Sequence, residues 1–125
     1  MSLERDQEER ETLEEVMADT PEYLYKVISK EAWEESLQSY FVFLSEMDSE
    51  FIHFALESQL QKVIDKFLSG AGEFFVLKVE TKNLPGKMVY ETNPGGVVKY
   101  YHLYNGWIPL EAIVQAVRSE ELACN

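Results

Sequence analysis

The chain has 125 residues, 46% hydrophobic and 27% charged, with 23 acidic against 11 basic side chains and a formal net charge of −12. That length supports one domain with its own core, and that charge repels phosphate backbones and anionic lipid, which argues against nucleic acid and the membrane surface as partners. The single cysteine, Cys124, allows no intrachain disulfide or thiolate zinc cluster, no apolar run reaches the about 20 residues that span a bilayer, and the acidic start is no secretory signal, so a cytoplasmic protein is expected.

Residues 1–20 form an acidic extension carrying eight acids and two arginines, half of the whole net charge. Leu13, Val16 and Met17 share one helical face, so residues 4–18 are read as a helix that is stable only if its last turn docks. It is either a solvated, frayed tail or an element that meets a protein partner. Thr20-Pro21 closes it, because the residue before proline is pushed out of helical geometry. Residues 21–125 form a single α+β domain.

Tyr23 to Ser29 alternates and is rich in β-formers, a first strand. Ser29 caps a short helix over Lys30 to Gln38, with Trp33 and Leu37 inward. Residues 39–50 read as a partly buried connection and 50–54 as a short apolar run. From Leu56 to Leu68 the apolar spacing is helical, with a stop at Ser69-Gly70. Glu73 to Glu80 is the clearest strand, Lys87 to Glu91 a shorter one, Asn93-Pro-Gly-Gly96 a turn, and Val97 to Tyr104 a further β-rich run. Residues 110–117 fit a helix by spacing, and 113–117 fit a closing strand equally well. The sum is an α+β domain with its strands concentrated in the second half.

No dinucleotide fingerprint, phosphate loop, nucleophile elbow or HExxH motif occurs. Ser69-Gly-Ala-Gly72 follows a helix and precedes a strand, the reverse of the order that aims a helix N-terminus at an anion. Two histidines and one terminal cysteine cannot supply a structural zinc site, so no metal is expected. The polar interest lies in the histidines. Alternation points His53 away from Ile52 and Phe54, toward the side opposite the core. Tyr100, His102 and Tyr104 share one face, three hydrogen-bonding rings that could wall a cleft. The commoner fate of each histidine is a structural bond to a backbone carbonyl. Glu91, at a strand end before the glycine turn, is the acid best placed to join them.

Tyr25-Lys-Val-Ile-Ser29, Glu31-Ala-Trp33, Phe51-Ile-His53, Gln59, Phe75-Val-Leu77, Tyr90-Glu91, Gly95-Gly96, His102-Leu-Tyr104 and Pro109-Leu110 stand in an order that resembles the bacterial domain-of-unknown-function 952 family, over residues 23–118. The resemblance implies an ADP-ribosylation-like fold: a split, strongly bent antiparallel sheet with two or three helices. Mono-ADP-ribosyltransferases, poly-ADP-ribose polymerases and RNA 2′-phosphotransferases share that fold, with NAD or a related nucleotide where the sheet splits. ADP-ribosyl transfer needs a residue to hold the ribose, aromatic surface for the nicotinamide and a carboxylate at the oxocarbenium-like centre. His53, Glu91 and His102 are the catalytic candidates, and Tyr25, Gln59, Gly95, Gly96 and Tyr104 the ligand-binding ones. The chain carries Ala55 where the family has a serine that could cap the helix, worth about 1 kcal/mol, and bond a ligand phosphate. Tyr90 and Tyr101 replace a tryptophan and a proline, and Asn105 intervenes before Gly106.

Two functions are therefore expected as alternatives. One is a small-ligand protein, an NAD- or nucleotide-dependent transferase with its site in the sheet cleft. The other is a non-catalytic interaction or ligand-sensing module whose acidic helix contacts a protein partner.

Overall fold

The computed structural model describes residues 20–69 and 72–123. The helix expected over 4–18 and the glycine stop at Gly70 lie outside the described residues.

Strand β1 (Tyr23–Ser29) buries Leu24, Val27 and Ile28. It runs antiparallel to β3 (Phe74–Glu80), which is central in its sheet. The other edge of β3 takes β6 (Ile113–Arg118), with a bulge between Lys78 and Val79. The order is β1-β3-β6. This settles the ambiguous C-terminal run as a strand after a tight turn at Leu110–Ala112. Without it one edge of β3 would carry a row of unpaired backbone groups, and β-branched Ile113 and Val117 suit the pleat.

The second sheet has the order β2-β5-β4, from β2 (Ile52–Phe54), β5 (Lys99–Tyr104) and β4 (Lys87–Thr92), all antiparallel. Among the described residues a single bridge joins the sheets: Tyr25 and Ala55 exchange two backbone hydrogen bonds of 2.8 Å. Beyond it β1 and β2 part company. Among the described residues the architecture is thus six antiparallel strands in two sheets with three helices.

Helix α1 (Lys30–Ser36) starts where Ser29 Oγ accepts the Ala32 N–H at 3.1 Å, as expected of that cap. It stops two residues short of the expected end. Leu37, expected inward, is 58% exposed. The reason is Ser36, which is fully buried. Its Oγ donates to Ala32 O at 2.6 Å and accepts from Phe43 N at 2.8 Å, so the chain turns away there. Trp33 does turn inward, with its ring centroid 5.9 Å from that of Phe75. Helix α2 (Leu60–Ser69) begins later than its apolar spacing, after a 3-10 turn at Glu57–Gln59. Leu60, Val63 and Ile64 pack on Val27, Phe74 and Val76. A short helix α3 (Ser119–Ala123) ends the described chain.

The larger core combines Leu24, Ile28, Leu77 and Val79 from the first sheet with Ile52, Phe54, Tyr101 and Leu103 from the second. The inward and outward faces of 100–104 are as alternation predicts. Among the described residues no helix is long and apolar enough to cross a membrane.

Candidate functional site

Register decides the first part of the site. His53 on β2 lies directly opposite His102 on β5, so both rings project from the same face, 5.2 Å between centroids. On the other side of β5, Glu91 pairs with Tyr100 and reaches back along the face. Its Oε1 lies 3.0 Å from His102 Nδ1 and accepts a short hydrogen bond from the Tyr104 hydroxyl. His102 Nε2 is 2.8 Å from Asn93 Oδ1. The hydrogen bond from Tyr104, and then that from His102, hold the Glu91 carboxyl below the usual carboxylate range. The same bond to Glu91 pushes the Tyr104 phenol up.

The structure thus brings His53, Glu91, His102 and Tyr104 together, but it corrects the picture of His102 as a cleft wall. Its side chain is 0% exposed. Phe51 stacks on it with ring centroids 4.1 Å apart, and both of its nitrogens are engaged. Among the described residues neither histidine hydrogen-bonds a backbone carbonyl through its ring; all three ring bonds go to side chains.

The second part of the site was not anticipated. Lys26 and Asp48 are buried and paired, Nζ to Oδ1 at 2.8 Å. The same oxygen accepts the His53 backbone N–H at 2.9 Å and faces His53 Nδ1 at 3.0 Å. The reason lies in the split. Alternation from the Tyr25–Ala55 bridge turns the His53 N–H toward β1, which has already diverged, so the Asp48 carboxylate takes the place of the missing ladder partner. Burial alone would raise the Asp48 pKa. The Lys26 ammonium and the bonds from His53 outweigh it and hold the group below its ordinary value. Burial pulls Lys26 down, against the pull of Asp48. The same alternation points the Val27 N–H and C=O into the split. No described residue hydrogen-bonds either, although Val27 is buried.

A cavity of about 590 Å³ fills the split. Tyr25, Lys26, Asp48, His53, Asn93 and Tyr100 line it. Its polar rim also holds Glu31, Lys66 and Glu73, so both signs of charge are present. Among the described residues no group of three or more His, Cys, Asp or Glu could hold a metal ion.

The sequence profile of a family described as proteins of unknown function, DUF952, matches residues 27–116. The chain belongs to the DUF952 family. Among solved structures it is similar to protein CC0527 from Caulobacter crescentus, with a TM-score of 0.65 and 23% identity, covering 77% of this chain and 84% of that one. A double methionine variant of CC0527 gives a TM-score of 0.64 at the same identity and coverage. That likeness concerns the fold alone. No curated protein matches the chain.

The remaining candidates fall in different places within this DUF952 domain. Tyr25 lines the cavity and forms the bridge. Gln59 fastens the scaffold. Its Oε1 accepts the Leu56 N–H at 2.9 Å and its Nε2 donates to Lys99 O at 2.7 Å, tying the start of α2 to the start of β5. Gly95 and Gly96 sit in an exposed turn closed by Gly96 N–H to Asn93 O at 2.8 Å, where Gly95 has φ of 79°. That turn sets Asn93 against His102. Ala55 is not at a helix N-cap at all; it is the bridge residue, and Gln59 serves the helix start instead. The expected loss of a cap therefore does not arise.

Lys26 and Asp48 had a weak signal in the sequence. The strand alternation puts Lys26 on the same face as Leu24 and Ile28, and a lysine there needs a buried counter-charge. Asp48 lies in the partly buried connection where such a partner could stand.

Proposed function

We propose that this protein binds a small ligand in the cavity between the diverging strands, and that the ligand is NAD or a related nucleotide used in a transfer reaction. The observation that carries this reading is the place of the cavity. It opens where the two sheets separate, against a buried backbone N–H and C=O that lack partners among the described residues. Such groups are paired in folded proteins by water or ligand. The finer claim, an ADP-ribosylation-like fold with a nucleotide in its cleft, rests on the family resemblance. Tyr25 and Tyr100 offer aromatic surface, His53 and Asn93 offer hydrogen bonds, and Lys66 offers positive charge.

A thermal-shift screen with NAD, ADP-ribose and nucleoside phosphates tests it. Binding at 100 times the dissociation constant stabilises the folded state by about 2.7 kcal/mol, a rise of several degrees. A shift that is lost in Tyr100→Ala supports the reading. No shift with any of these ligands would exclude it.

One observation favours the second reading, an interaction module. Tyr40 is 90% exposed, and Leu37, Phe41 and Trp107 are exposed as well, within or next to the segments where residues 40–42 run along residues 108–110. Large exposed apolar groups close together mark contact surfaces. A change in sedimentation on mutating Tyr40 and Trp107 to serine would support this reading, and no change would count against it. The acidic segment 4–18 lies outside the described residues.

A further inference from the structure

The Lys26–Asp48–His53 cluster is more elaborate than a fastening across the split requires. Lys26 and the His53 backbone N–H already give the Asp48 carboxylate its partners at 2.8 and 2.9 Å. The additional contact, 3.0 Å to the His53 ring, acts on the imidazole. Asp48 sits beside a buried ammonium and is ionised. A carboxylate only accepts, so the proton of the neutral ring is on Nδ1 and the lone pair is on Nε2. No described residue hydrogen-bonds Nε2, and His53 lines the cavity with 30% of its side chain exposed.

We propose that His53 is the general base of this cavity, with Asp48 and Lys26 as its positioning residues, and that the second substrate is a hydroxyl compound, water or an alcohol, whose proton His53 Nε2 accepts. The proposal rests on the cavity being a ligand site. Asp48 is the weaker base, because the Lys26 ammonium and the bonds from His53 to its Oδ1 stabilise the ionised carboxylate. His102 cannot be the base, because it is fully buried with both nitrogens engaged. The groups around the His53 ring are Asp48 from the connection, Phe51, and His102 from β5; Lys26 stands behind Asp48 and Glu91 behind His102.

In the step, the hydroxyl oxygen forms a bond to an electrophilic carbon of the ligand. Its O–H proton passes to Nε2, and the electron pair of the breaking bond leaves with the leaving group. With NAD as ligand the nicotinamide departs as a neutral pyridine and needs no proton. The imidazolium then gives its proton to water. While charged, it lies 3.0 Å from the Asp48 carboxylate, which stabilises it.

Diethyl pyrocarbonate, which carbethoxylates unprotonated imidazole, tests the assignment on the full chain without knowledge of the ligand. The native protein should react at one of its two histidines, mapped to His53 by peptide mass, with His102 protected. Asp48→Asn takes away the charge that stabilises the imidazolium, so the pH profile of that reaction should move to lower pH. Reaction at His102 first, or an unchanged pH profile in Asp48→Asn, would overturn the proposal. Should that variant fail to fold, nitrogen NMR of the wild-type imidazole decides: a proton on Nδ1 of neutral His53 supports the assignment and one on Nε2 overturns it. The same reaction with NAD or ADP-ribose present separates the two proposals. His53 reactive as expected but unprotected sinks the nucleotide reading alone. Nucleotide stabilisation without the expected histidine pattern sinks the base assignment alone.

Discussion

Lys26 shows how a single buried charge can organise a site. It occupies the inward face of an apolar strand between Leu24 and Ile28, and only Asp48 makes that tolerable. Lys26→Met leaves the Asp48 carboxylate buried without its counter-ion, so a loss of about 3–5 kcal/mol is expected in urea unfolding. The double variant Lys26→Met with Asp48→Leu should cost less than the sum of the single changes, because the unpaired charge is gone. His102 is the matching case on the second sheet. Truncation to alanine strips Glu91 and Asn93 of a partner and leaves Phe51 over a void, for a loss of about 3 kcal/mol by the same measurement. At this scale the sequence was partly legible. The face shared by Tyr100, His102 and Tyr104, and Glu91 as their carboxylate, follow from alternation and strand ends. That Phe51 covers His102 does not follow, because the pairing of β2 with β5 brings residues 51 positions apart into contact by a route that no local pattern encodes.

Among the elements, those set by local chemistry are the ones read from sequence. β1 runs from Tyr23 to Ser29 as its alternation predicts, and Ser29 caps α1. Where two local readings were equivalent, pairing decided. Residues 113–118 are a strand because β3 offers them an edge, not because of any preference within the segment. The helix start near Leu56 was displaced to Leu60 because Ala55 is held in the bridge to Tyr25. Where β4 begins and β5 ends, the chain passes close to itself over two glycines. Gly86 has φ of 113°, and a methyl group there would lie 2.6 Å from the Tyr104 carbonyl oxygen; at Gly106 a methyl group would collide with the Pro85 carbonyl. Gly106→Ala should therefore destabilise the fold by more than about 2 kcal/mol, measured by thermal unfolding, and loosen Tyr104 from Glu91. Gln59→Ala removes the tie between α2 and β5, and a loss of about 1 kcal/mol is expected in the same measurement.

The net charge of the whole molecule, −12, sets a broad acidic background, and residues 1–20 supply half of it. The pH response of the domain has a more local origin. Asp48 has a lower pKa folded than unfolded, so between the two values the unfolded chain binds more protons and stability rises with pH. Its contribution is complete above the unfolded value near 4 and is lost as pH falls through the lower folded value. Glu91 acts in the same direction. Melting temperatures of the wild type should drop over this acid range. Asp48→Asn should be less stable at neutral pH and show a flatter acid limb, the two proteins converging at the lowest pH. A parallel limb in the variant would remove Asp48 from the account. By itself the sequence determined the α+β class, most strand and helix positions, the family, and the two histidines as the polar centre, because periodicity, caps and motif order are local properties of the chain. The tertiary structure alone decided that β1 and β2 meet at one bridge and then diverge. The cavity lies in that divergence, and the His53 N–H left there without a strand partner is bonded by Asp48, which in turn pairs with Lys26.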